Sequence, residues 1–139
     1  MPANVLTDDR TMRDLLGKCR RIAIVGLSPK QERDSYKVAL YLQKKGYIIL
    51  PVRPGQKEIL GEKVYSSLED ISEPVDIVNV FRRSDLVLPH AREALRLNPK
   101  LFWMQLGIEN LEAAQLLTKA GVDVVMDRCI KIEHERLIG

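Results

Sequence analysis

Five short apolar runs recur along this chain, each separated from the next by a stretch that carries helix signals. That alternation constrains the fold more tightly than any other feature, because a crossover helix is what lets successive strands run parallel. Arg21 to Val25 reads Arg-Ile-Ala-Ile-Val and is closed by Gly26, and residues 47–52, 75–81, 101–106 and 122–126 repeat the theme. Runs with so little polar alternation predict strands buried on both faces of a sheet. After the first of them, Ser35, Val38, Ala39 and Leu42 form a helical stripe that stops at Gly46. An earlier helix is expected over residues 8–18, where Met12, Leu15, Leu16 and Cys19 share a face and Asp8 and Asp9 mark the start.

The later connections follow the same logic. Val64 and Tyr65 predict a brief edge strand, and Ser66 with Glu69 matches a capping box opening a short helix that reaches about Ile71. Pro89 is tolerated only in a first helical turn, which places that helix start near Ser84 or Asp85, with Leu88, Ala91 and Leu95 facing the core. Asn110 caps a stripe of Ala113, Leu116, Leu117 and Ala120 that ends at Gly121. The expected fold is α/β: a single Rossmann-type doubly wound parallel sheet of five or six strands, helices on both faces, forming one domain over residues 1–139. The net charge of +3 is spread over 22 basic and 19 acidic residues without a dense basic cluster, which argues against a nucleic-acid partner. No apolar stretch approaches the length of a signal peptide or membrane span, so a cytoplasmic protein is expected. Cys19 and Cys129 lie far apart without metal-ligand spacing and are expected as reduced thiols, with no metal site.

In a doubly wound sheet the ligand sits beyond the carboxyl ends of the strands at the switch point, here between the first strand and the one ending at Phe81. The candidate cofactor-binding residues are therefore Gly26-Leu27-Ser28, with Ser35 opening the next helix, Val52-Arg53-Pro54, Phe81-Arg82-Arg83, and Gln105 and Gly107. Gly26 permits a tight turn, and the helix that begins near Ser35 offers amides and a positive dipole end to a pyrophosphate. The later glycines of a dinucleotide fingerprint are replaced by Ser28 and Pro29. No acidic residue stands where NAD needs one; Arg53, near Lys57, suits a ribose phosphate, which NADP and coenzyme A both carry. Arg82 and Arg83 are placed to reach phosphate oxygens while Phe81 covers an apolar part of the cofactor. Gln105 can donate and accept, and Gly107 permits either a turn or close approach of a ligand.

Taken together, Ile-Val-Gly-Leu-Ser (24 to 28), Pro-Val-Arg-Pro (51 to 54), Val-Phe-Arg-Arg (80 to 83), Trp-Met-Gln-Leu-Gly (103 to 107) and Met-Asp-Arg-Cys (126 to 129) occur in a fixed order that resembles the small single-domain CoA-binding proteins. These are relatives of the amino-terminal CoA-binding domain of the succinyl-CoA synthetase alpha subunit. The resemblance covers residues 10–136 and implies that Gly26, Ser28 and Ser35 hold the pyrophosphate of coenzyme A, that the loop after residue 52 meets the adenosine phosphate, and that the later loops flank adenine and pantetheine. Arg53 departs from the asparagine of many relatives.

The synthetase relative works through a phosphohistidine in a separate domain, so no ligase activity is expected here. His90 and His134 read as surface histidines, and no catalytic set accompanies them. Cys129 has latent chemistry: Arg128 beside it would favour a thiolate able to form a mixed disulfide with the CoA thiol. Ile130, Ile132, Leu137 and Ile138 leave open whether the tail docks on the core, on a second copy in a homodimer, or on another protein. The leading expectation is a non-catalytic module for coenzyme A or an acyl-CoA of unspecified acyl group; the alternative is an NADP-binding oxidoreductase-type domain.

Overall fold

The computed structural model describes residues 4–139. Its elements in chain order are α1 (Asp9–Lys18), β1 (Arg21–Val25), α2 (Asp34–Lys44), β2 (Ile48–Val52), β3 (Glu58–Ile59), β4 (Glu62–Lys63), β5 (Ile77–Val80), α3 (Val87–Leu95), β6 (Leu101–Met104), α4 (Leu111–Lys119), β7 (Asp123–Val125) and α5 (Ile130–Leu137). Single turns of 3-10 helix occupy Leu68–Asp70 and Ser84–Leu86. Strands β2-β1-β5-β6-β7 form one parallel sheet in that order. The five apolar runs are these five strands, and the chain reverses its direction of winding between β1 and β5, as expected.

Side chains alternate across each strand, so the sheet feeds two cores. Ala23, Val25, Val78, Val80, Phe102 and Met104 meet α3 and α4 on one face. Ile22, Ile24, Ile77, Leu101 and Trp103 meet α1, α2 and α5 on the other. Helix starts follow the local chemistry: the Asp8 carboxylate accepts from the Thr11 amide at 2.9 Å, and Asn110 caps Ala113 at the same distance. Pro89 lies in the first turn of α3, which enters through the 3-10 turn at Ser84. On α4 the buried face is Ala113, Ala114 and Leu117; Ala120 is an exposed end residue, not part of the stripe.

Several expectations need correction. The edge strand expected at Val64 and Tyr65 is a hairpin just before them, β3 against β4, whose turn residues Leu60 and Gly61 both adopt positive φ (56° and 77°). Tyr65 touches the main sheet through one bridge to Val52. The cap of the 3-10 turn sits one residue later than the Ser66 and Glu69 pair: the Asp70 carboxylate accepts from the Ser67 amide at 3.2 Å. The tail forms helix α5, with Ile130 in the core and Ile132 exposed. At the other end, the Leu6 amide donates to the Val124 carbonyl at 2.7 Å and adds a bridge at the sheet edge.

His134 is not a surface residue. It is 3% exposed, its Nδ1 lies 2.7 Å from the Tyr41 hydroxyl, and its ring meets Tyr41 and Tyr47 edge-on. Burial pushes its pKa below the ordinary 6.5, with Lys45 adding to the effect and Glu135 opposing it. The unfolded chain therefore takes up a proton that the folded chain refuses: this contribution is complete above the ordinary value and shrinks as pH falls below it. Urea midpoints should fall between about pH 7 and about pH 5.5, and His134→Gln should flatten that slope. The carboxylates held low, Asp8, Asp9 and Glu73, act further toward acid and do not share this window.

Candidate functional site

The carboxyl ends of β1 and β5 approach so closely that a side chain does not fit between them. Gly26 has φ of 82°, and a Cβ built on it would lie 2.6 Å from the Phe81 carbonyl oxygen and 3.3 Å from Cδ of Arg82. Its amide donates to the Val52 carbonyl at 2.9 Å, joining three strand ends at one point. Beyond it, the Ser28 amide donates to Ser35 Oγ at 3.0 Å, and Ser28 Oγ accepts from the Lys30 amide at 3.1 Å. These bonds fold the loop back onto the start of α2. Arg33 at the N-cap of α2 makes no side-chain cap, so the orphan amides of the first turn and the positive end of the helix dipole are left for a ligand anion.

A groove runs along this rim as three adjoining clefts, and Phe81 lines all of them. The middle cleft, about 530 Å³, lies between Gly26, Ser28, Ser35 and Arg53 and also takes in Lys30, Arg33 and Gln56. One end, about 430 Å³, is formed by Val52, Arg53, Pro54, Ser66, Ser67, Arg82 and His90. The other end, about 720 Å³, runs between α2 and α5 past Arg82, Arg83, Gln105, Gly107 and Cys129. The structure thus brings together every candidate residue except Leu27. That side chain is fully buried in the core with α1 and α2 and lines none of these clefts.

Charge on the groove is mostly basic: Lys30, Arg33, Lys37, Arg53, Arg82, Arg83 and Lys131 line it, against the carboxylates of Asp34 and Glu135. Arg53 and Arg82 are half-buried, yet neither guanidinium has a hydrogen-bond or ion-pair partner among the described residues. Arg83 is more exposed and pairs with Asp85 at 3.3 Å. Gln105 is buried and donates its amide to Asn79 Oδ1, which leaves its carbonyl for a ligand; Asn79 Nδ2 has no partner among the described residues. Gly107 is required by its conformation (φ 83°), not by close approach, because nothing lies within 4 Å of a Cβ there. The cation expected to activate Cys129 is committed elsewhere, since Arg128 donates to Glu133 at 3.0 Å. His90, read from sequence as a surface residue, lines the groove with Nδ1 3.0 Å from Glu93 Oε1. Its place in the first turns of the helix after β5 was the available signal, because those turns rise beside the switch point.

Known proteins resemble this chain in family and in fold. The model of the family described as "CoA binding domain" matches residues 20–135. The uncharacterized protein YneT of Bacillus subtilis (strain 168) is 46% identical over 123 residues, covering 88% of this chain and 91% of that protein. A hypothetical protein from Pyrococcus horikoshii OT3 superposes with a TM-score of 0.92 at 38% identity, over 96% of this chain and 94% of that one. The dinucleotide forming acetyl-coenzyme A synthetase 1 of Ca. Korarchaeum cryptofilum shares the fold at 24% identity and a TM-score of 0.66, over 81% of this chain and 27% of that much longer one.

Gly26→Ala should destabilise the protein by about 2 kcal/mol or more, since it combines an unfavourable φ with a clash against backbone. Gly107→Ala, with only the conformational penalty, should cost about 1 kcal/mol. Chemical denaturation of the two variants measures the difference.

Proposed function

Because the chain belongs to the CoA binding domain family, we propose that it is a non-catalytic cytoplasmic holder of coenzyme A or an acyl-CoA. The observation that carries this reading is the pair of half-buried, partnerless guanidiniums of Arg53 and Arg82 facing one groove. A cation withdrawn from water without a counter-ion is unfavourable unless an anion completes it, and coenzyme A carries a pyrophosphate and a ribose phosphate.

The groove accommodates such a ligand in parts. The pyrophosphate rests against the loop of Ser28 and the start of α2 at Ser35, where free amides meet it. Arg53 and Arg82 receive the ribose phosphate, and Phe81, common to all three clefts, covers an apolar surface of the ligand. The pantetheine arm occupies the largest cleft, where Gln105 offers a carbonyl to an amide and Cys129 stands at the start of α5. A holder of this kind binds and orients the thioester and leaves bond-making to another protein.

Cys129 also allows a covalent state. Its thiolate attacks the disulfide of a CoA dimer; the new bond joins Cys129 Sγ to one CoA sulfur, and the other CoA leaves as a thiolate. Intact mass spectrometry after incubation with CoA disulfide should show one adduct that disappears in Cys129→Ser. No adduct, or one that persists in the variant, refutes the exchange.

Calorimetric titration tests the main reading. Coenzyme A should bind more tightly than NADP, and Arg82→Gln should weaken it by about tenfold, the scale of one charge-assisted hydrogen bond. NADP binding more tightly than coenzyme A would overturn the assignment.

A further inference from the structure

One end of the groove gathers five polar side chains, those of Arg53, Ser66, Ser67, Arg82 and His90. The two guanidiniums have no partner among the described residues. His90 is half-buried, and its Nδ1 lies 3.0 Å from Glu93 Oε1. A carboxylate only accepts, so Nδ1 is the nitrogen that carries hydrogen in this contact. Nε2 is thereby the nitrogen left for a ligand.

We propose that this cleft is a phosphomonoester subsite in which His90 Nε2 is the third hydrogen-bonding group beside Arg53 and Arg82, so that His90 sets the preference for ligands carrying a ribose phosphate. The inference rests on the coenzyme A reading and names the residue that reads one group of that ligand. The chemistry favours a terminal phosphate over a diester here. A phosphomonoester presents three oxygens and close to two negative charges, matching three polar side chains from separate elements: the ends of β2 and β5 and the start of α3. The backbone diphosphate is already provided for at the start of α2, in the neighbouring cleft. Glu93 acts as a positioning residue, since its contact occupies Nδ1 and leaves Nε2 as the ring nitrogen available to a ligand.

The test is the ratio of dissociation constants for dephospho-CoA and coenzyme A, measured by calorimetry on the wild-type chain, His90→Gln and Arg53→Gln. The wild type should favour coenzyme A by about tenfold or more, and His90→Gln should shrink that ratio by about threefold to tenfold. Affinity of the His90 variant for dephospho-CoA should stay within about twofold of wild type, which shows that the rest of the groove is intact. Equal binding of the two ligands by the wild type overturns the subsite and leaves the coenzyme A reading standing. A ratio that Arg53→Gln lowers and His90→Gln does not overturns the role of His90. Failure of the wild type to bind either ligand defeats the coenzyme A reading itself.

Discussion

Everything at the rim depends on the backbone contact between Gly26 and Phe81. The chain lays β2 on one side of β1 and then crosses back to place β5 on the other, so the connections leaving β1 and β5 diverge. Divergence opens the crevice; the missing Cβ of Gly26 lets its floor close, with the Phe81 carbonyl and the stem of Arg82 packed where a methyl group would stand. The same contact sets the direction of Arg82. Its aliphatic part is held against the glycine while the guanidinium is left without a partner among the described residues, as a long cationic side chain with an apolar stem allows.

Four of the buried polar residues, Ser28, Ser35, Asn79 and Gln105, gather at this edge. Asn79 lies in β5 opposite Ile24 and Trp103, in the otherwise apolar layer that faces α1, α2 and α5. Its carbonyl is used by Gln105, and its amide nitrogen is buried without a partner. Leaving one such donor unmet costs about 1–3 kcal/mol. Replacing the pair by apolar residues would relieve that penalty and would also remove the amide that Gln105 presents to the largest cleft. Stability is given up where the sheet meets the groove, and strands β1, β6 and β7 otherwise keep their buried faces apolar.

What was legible in the sequence follows from burial. Strands covered on both faces must be apolar throughout, so five runs announced five strands, and strand ends in this topology have one functional edge. The loop residues that line the groove could be named for that reason alone. Leu27 failed because the turn after Gly26 sends its side chain back into the core, and position along the chain carries no sign of that. The hairpin of Glu58–Ile59 and Glu62–Lys63 is too short and too charged to show alternation, and its turn places Leu60 at positive φ, where a leucine gives no signal. Helix α5 was hidden by its charge, and His134 by the distance in sequence to Tyr41 and Tyr47, which bury it.

Helix α5 connects these observations, because one element both completes a core and forms a wall of the site. Ile130 and His134 face inward, while Lys131, Ile132 and Glu135 line the largest cleft. The helix is tied down at a distance from that wall. Arg136 donates to both oxygens of Asp9 at 2.8 Å and to Glu133 at 2.8 Å, and Arg128 donates to Glu133 at 3.0 Å. The guanidinium of Arg136 holds the Asp9 carboxyl below its usual range, and burial of Glu133 keeps part of the network away from water. An exposed ion pair alone contributes little, but a bidentate arginine linking α1 to α5 fixes where the wall stands. A wall anchored by contacts that the ligand does not touch is in place before the ligand arrives, so binding loses less free energy to ordering the protein. The groove can therefore remain open and mostly basic without collapsing onto its own arginines.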